Sequence, residues 1–138
     1  MNEQERDRFL DQPLVGAIAT VRADGAPAVV PVWYRWHAGT VLVWSEATFP
    51  WVRRLADEPR VALAVFEHTT PLRAVYVRGT ATVRTGSLAE LWDEIRPIVA
   101  RYVPAEEVES TMASYDTGDA KAMVTITPTS IRAQANAG

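Results

Sequence analysis

The sequence predicts an antiparallel β-barrel, closed or partly split, all-β or α+β in class, with a few helices covering its ends. Three observations carry this. Apolar residues recur at every second position through much of the chain, the period of a half-buried strand. Turn residues suited to short hairpins separate those stretches. The helical signals do not alternate with the strands as a βαβ sheet requires. At 138 residues the chain fits one domain, 1–138, with enough apolar surface to build a core without metals or disulfides.

The elements follow in order. Asn2 to Gln12 is polar until Phe9 and Leu10, which suits a short helix ended by Pro13. From Val15 the period becomes two: Val15, Ala17, Ala19 and Val21 share one side of a strand, and Asp24-Gly25 supplies a tight turn. Ala28 to Trp36 returns antiparallel, with a bulge or an edge position expected at Pro31, which cannot donate to a ladder. His37-Ala38-Gly39 turns the chain into a third strand, Thr40 to Ser45. Thr48 to Glu58 reads as a short helix capped by Thr48 and stopped by Pro59.

Val61 to Phe66 and Ala74 to Val83 return to strand; in the latter, Val75, Val77, Ala81 and Val83 alternate with polar residues and Tyr76. Ser87-Leu88-Ala89-Glu90 is a capping box, opening a helix whose apolar stripe is Leu88, Leu91, Trp92, Ile95, Val99 and Tyr102 and which Pro97 should kink. Glu106 to Ser114 reads as a further helix and Met123 to Ile131 as a closing strand interrupted by Pro128.

Composition excludes several functions. There is no cysteine, so thiolate catalysis and cysteine-based metal sites are out, and a reducing cytoplasm is compatible. The net charge of −3 comes from intermixed charges, with no basic stripe for a nucleic acid. No apolar run reaches the roughly 20 residues of a membrane span and the charged start is unlike a signal peptide, so a soluble cytoplasmic protein is expected. His37 and His68 fall in loops, where exposure without a role is the default, and nothing suggests a metal site. No serine sits in a G-x-S-x-G elbow, so hydrolase chemistry has no support.

Four segments together resemble the pyridoxamine 5'-phosphate oxidase-like family, including members that use the deazaflavin coenzyme F-420. They are Val21-Arg22-Ala23-Asp24-Gly25-Ala26-Pro27, Val30-Pro31-Val32-Trp33-Tyr34, Asp57-Glu58-Pro59-Arg60-Val61 and Arg73-Ala74-Val75-Tyr76-Val77-Arg78-Gly79. The resemblance runs from about Phe9 to Gly79, with a weaker echo in Val124 to Ile131. It implies a mainly β fold, a six-stranded antiparallel split β-barrel of the FMN-binding type with flanking helices. It also implies a homodimer holding FMN or coenzyme F-420 at its interface, and hydride transfer to or from a small organic substrate.

By that resemblance Val30, Pro31, Val32 and Trp33 lie against the flavin ring, and Ser45, Glu46, Ala47, Trp51, Arg53 and Arg54 hold its tail. The physics agrees: a ring needs a flat apolar wall with free backbone groups beside it, and a phosphate needs amides and cations. The bland alternative pairs Arg53 and Arg54 with Asp57 and Glu58 on a solvated helical face. Trp51 stands where the family usually has a phosphate-binding lysine, Phe49 replaces a nearby polar residue, and Ala74 replaces a ring-binding glutamine. Trp51 is either core or a wall of the pocket. Trp33, Tyr34, Trp36 and Trp44 form an aromatic group whose plain reading is core or subunit interface. No histidine accompanies Arg132 in Ser130 to Gln134, which argues against oxidation of vitamin B6. Competing readings are a non-catalytic flavin, deazaflavin or haem binder, with His37 or His68 as the histidine choice for haem, and a barrel plugged by Phe49 and Trp51.

Overall fold

The computed structural model describes residues 1–136. Helix α1 (Glu3–Leu10) starts at a reciprocal cap between Asn2 and Glu5 and buries Phe9 and Leu10. Strands β1 (Gly16–Val21) and β2 (Pro27–Val32) form the expected hairpin. Gly25 takes the positive φ of +85° that the turn demands, and the Asp24 carboxylate accepts the Ala26 amide at 3.0 Å.

The expected second strand is two strands. Its second piece is β3 (Tyr34–His37), joined by a tight turn to β4 (Thr40–Glu46). The break falls at Trp33: Val32 pairs back to Gly16 of β1, whereas Tyr34 pairs forward to Val43 of β4, leaving Trp33 in neither ladder. Pro31 stays inside β2, where an edge strand tolerates a proline. With β5 (Arg60–Phe66), β6 (Ala74–Gly86) and β7 (Lys121–Gln134), the strand count is therefore seven rather than six.

All seven lie in one antiparallel sheet of order β2-β1-β5-β6-β7-β4-β3. Its two edge strands are consecutive in the chain and only one residue apart. The sheet must curl until its edges meet, and that seam makes the barrel split.

The β6–β7 ribbon is longer than expected at both ends, and Pro128 does not interrupt it. The register shifts between Arg78 and Gly79, so that Thr129 bulges out between partners, its hydroxyl donating to the Arg78 carbonyl at 3.1 Å. A Cβ on Gly79 would sit 2.2 Å from the Thr127 carbonyl oxygen, so only glycine permits this approach.

Alternation along the strands produces two cores. Ile18, Tyr34, Val41, Val43, Leu63, Val75, Val77 and Val124 fill the barrel with Phe9 and Leu10. On the outside of the sheet, α3 (Leu88–Val99) and α4 (Val108–Ser114) pack Leu91, Ile95, Ile98 and Met112 against Met123, Trp33, Leu42 and Trp44. The Ser87 capping box of α3 is formed, and the helix continues through Pro97 for two residues. Helix α2 (Pro50–Arg54) is shorter than Thr48 to Glu58, because Phe49 occupies the N-cap without a side-chain bond and the rest turns irregularly. Thr48 is not the cap.

Candidate functional site

A cavity of about 520 Å³ opens where the seam meets the end of β4 and the start of α2. Pro31, Val32 and Trp33 supply one side, Trp44, Ser45 and Glu46 another, and Phe49 and Trp51 a third, with Val15 and Tyr115 at the margin. The wall is aromatic because three elements converge here, Trp33 from the break between β2 and β3, Trp44 from β4 and Trp51 from α2. Trp33 is held flat by a stack on Tyr102, 4.8 Å between centroids and 5° between planes. Trp44 leans on Tyr115 at 4.5 Å. Tyr102 also clamps the break: its hydroxyl accepts the Tyr34 amide, and lies within hydrogen-bonding distance of the Tyr34 and Leu14 carbonyls.

The predicted aromatic group is therefore divided by the sheet. Tyr34 is fully buried in the barrel with Trp36 against it, whereas Trp33 and Trp44 face the helices and the cavity. Burial pushes the Tyr115 phenol above its usual range, keeping it a neutral donor or acceptor near neutrality.

Of the expected site residues, Pro31, Val32, Trp33, Ser45, Glu46 and Trp51 meet on this one cavity. Val30 packs against the barrel core instead. Ala47 and Arg53 line a second groove on the other side of α2, with Thr82 and Thr85. Arg54 turns inward and donates to Thr20 Oγ1 at 3.0 Å. The two arginines thus diverge, and neither is ion-paired with Asp57 or Glu58; Glu58 holds Arg60. Ala74 is buried at the far end of β6, opposite Gln134, and is not on the cavity wall. Trp51 is only 7% exposed, packs in the barrel core and still forms wall, so the cavity is not plugged.

Sequence reasoning missed Tyr115 and Lys121. Lys121 is the chain's only lysine, and it is completely buried. Its ammonium donates to both Glu46 carboxylate oxygens at 2.8 and 2.9 Å and to Thr117 Oγ1 at 3.2 Å. Its uniqueness at the head of a strand was a signal, but its partner lies 75 positions away. Among the described residues no cluster of three or more metal-ligating side chains occurs, and His37 and His68 are not on the cavity wall. No described helix is long and apolar enough to cross a membrane.

The sequence matches the model of the family described as pyridoxamine 5'-phosphate oxidase over residues 3–135. The chain belongs to this family. Solved structures agree in fold with this pyridoxamine 5'-phosphate oxidase family member. A conserved hypothetical protein of Mycobacterium tuberculosis is 23% identical, covering 96% of this chain and 84% of its own, with a TM-score of 0.76. An F420 reductase is 21% identical over 91% and 94%, with a TM-score of 0.67. An FAD and heme binding protein from Mycobacterium smegmatis is 17% identical over 99% and 72%, with a TM-score of 0.72. No curated protein matches the sequence. Arg132 of this family member is exposed on β7 and lies over the Tyr76 ring at 4.7 Å, outside the cavity.

Proposed function

We propose that this chain is a flavin- or deazaflavin-dependent oxidoreductase that binds FMN or coenzyme F-420 in the seam cavity and exchanges a hydride with a small organic substrate. The observation that carries the reading is the aromatic-walled cavity at the β2–β3 break, in a chain of this family. Its volume lies in the range of about 300–1,000 Å³ typical of small-molecule sites. Among similar folds are a reductase named for F420 and a protein named for binding FAD and heme.

The residues fit a planar ring. Trp33, Val32 and Trp51 offer flat apolar surface, and the backbone at Trp33 belongs to no ladder and is free to meet a polar ring edge. Arg53, in the groove across α2, is the cation placed for an anionic tail; it takes the part of the lysine replaced by Trp51. The bound cofactor supplies the hydride chemistry. The chain's part is to orient the ring and exclude water with its aromatic wall.

We place the site in a homodimer. The register puts Pro27, Val29 and Pro31 of β2 on one face with Ala17 and Ala19 of β1 and Ala62 and Ala64 of β5. Val29 is 64% exposed there. A flat face of small apolar residues suits a self-complementary two-fold contact that would border the cavity at Pro31. A non-catalytic binder is the second reading, favoured by the missing lysine. Its haem version lacks a histidine on the cavity wall.

Titration of the purified protein with FMN and with F-420, followed by absorbance and fluorescence, tests this reading. Binding of one at micromolar concentration with hydride exchange is expected. Binding without turnover moves the protein to the second reading, and binding of neither rejects both flavin readings.

A further inference from the structure

We propose that the outer face of the β6–β7 ribbon carries a second binding site, for a phosphate group taken up as the free ion or as the monoester of a small molecule, with Arg78 and Arg132 as its cations. The site shares no residue with the seam cavity and does not rest on the cofactor reading.

A recess of about 360 Å³ lies on this face, lined by Ala62, Tyr76, Arg78, Ser130 and Arg132. The bulge at Thr129 builds it. Before the bulge Thr125 and Thr127 of β7 oppose the exposed Thr82 and Thr80 of β6; after it Ser130 and Arg132 oppose Arg78 and Tyr76. One extra residue has inverted the alternation, so Ile131 and Ala133 pack on the barrel core while Ser130 and Arg132 stand outside. The Thr129 hydroxyl donates to the Arg78 carbonyl, and the close approach of Gly79 to Thr127 holds the next residue. Arg78 and Arg132 are thus diagonal neighbours on pinned backbone, a placement that sets Cα atoms about 7–8 Å apart.

Arg132 is also oriented. Its guanidinium lies over the Tyr76 ring at 4.7 Å, a stack that uses its flat face and leaves its N–H edges available. Arg60, one register step along on the same face, is held by Glu58. No carboxylate pairs with Arg78 or Arg132 among the described residues, in a chain that has 17 acidic residues to 14 basic ones. Two like charges set side by side repel one another, and an anion between them removes that repulsion. The recess offers two guanidinium forks, two hydroxyls and the small Ala62 side chain. A phosphate has oxygens enough to meet both forks, whereas a lone carboxylate satisfies one.

The test follows backbone amide resonances of the wild-type protein at fixed ionic strength while inorganic phosphate, methyl phosphate or acetate is added. None of these carries a ring, so the result is separate from that of the FMN and F-420 titrations. Saturable binding of at least one phosphate at about 1 mM is expected, about tenfold or more tighter than acetate, with the shifts centred on Tyr76, Arg78, Ser130 and Arg132. The tighter of the two phosphates identifies the source, free ion or monoester. Arg78→Gln with Arg132→Gln keeps much of each stem at exposed positions and should weaken that binding by about 10- to 100-fold. A thermal melt reports whether this variant folds. Phosphate that does not saturate by about 10 mM, or binds no better than acetate, overturns the inference. So does an affinity undiminished in the folded double variant. If the variant does not fold, the wild-type shifts decide: movement confined to residues elsewhere, such as those around Arg53, overturns the inference as well.

Discussion

The β6–β7 ribbon and the β2–β3 seam are built from the same kinds of residue and end differently. In the ribbon thirteen pairs run from Ala74↔Gln134 to Gly86↔Lys121, and one bulge at Thr129 absorbs the only irregularity. At the seam the ladders on either side stop, Trp33 pairs with nothing, and order comes from side chains: the Trp33–Tyr102 stack and the Tyr102 hydroxyl on the Tyr34 backbone. Where backbone pairing is continuous the ladder leaves no backbone group unpaired for a ligand. Where it lapses, the cavity is walled by tryptophans and the backbone at Trp33 lies outside both ladders.

The largest expected effect breaks the buried ion pair that joins the cavity wall to the end of the ribbon. Glu46→Leu alone strands a fully buried ammonium, and should cost about 3–5 kcal/mol of unfolding free energy in urea denaturation. A loss below about 1 kcal/mol would mean that the pair does not organise this region.

Next is the ribbon, which depends on backbone approach. Gly79→Ala places a methyl 2.2 Å from the Thr127 oxygen, where only backbone movement can relieve it. A loss of about 2–4 kcal/mol is expected, read from the denaturation midpoint. Both cores should melt together, because β7 carries Val124 of one and Met123 of the other.

A smaller effect separates the barrel interior from the seam by pH. Burial, and then the neighbouring Tyr102, hold the Tyr34 phenol above its ordinary value. A raised folded-state pKa means that this stabilisation is complete below the unfolded value of about 10 and fades as pH rises past it. Between pH 9 and 11 the wild type should lose about 1 kcal/mol more stability than Tyr34→Phe. Identical alkaline losses would show that the phenol is not held there.

The smallest effect lies at the far turn of the seam's own hairpin. Ala38 is held at φ +50°, beside Gly39 at +75°, a pairing suited to asparagine and glycine. Ala38→Asn should raise stability by about 0.5–1 kcal/mol and leave cofactor binding unchanged.

These contrasts also explain what could be read in advance. The Asp24-Gly25 hairpin and the Ser87 capping box are local, decided within four residues, and both form as expected. The alternation of Val75, Val77 and Ala81 places them inside because period two leaves no other choice. The seam is different. Pro31 marked the right strand, but the break lies at Trp33, because it is set by which neighbour each half pairs with, and those neighbours are distant in sequence. The same holds for the site. Pro31, Val32, Trp33, Ser45, Glu46 and Trp51 could be collected from the resemblance, whereas Lys121 and Tyr115 arrive only once β7 lies beside β4 and α4 covers Trp44. The divergence of Arg53 and Arg54 follows from the short α2, which the sequence made look twice as long.

The central claim is that the seam, not the ribbon, receives the ring. It is tested most directly by following backbone amide resonances while FMN or F-420 is added. The largest shifts should fall on Val32, Trp33, Trp44, Ser45, Glu46, Trp51 and Tyr115. A bound cofactor that leaves those amides still, while moving residues elsewhere in the barrel, would contradict the account.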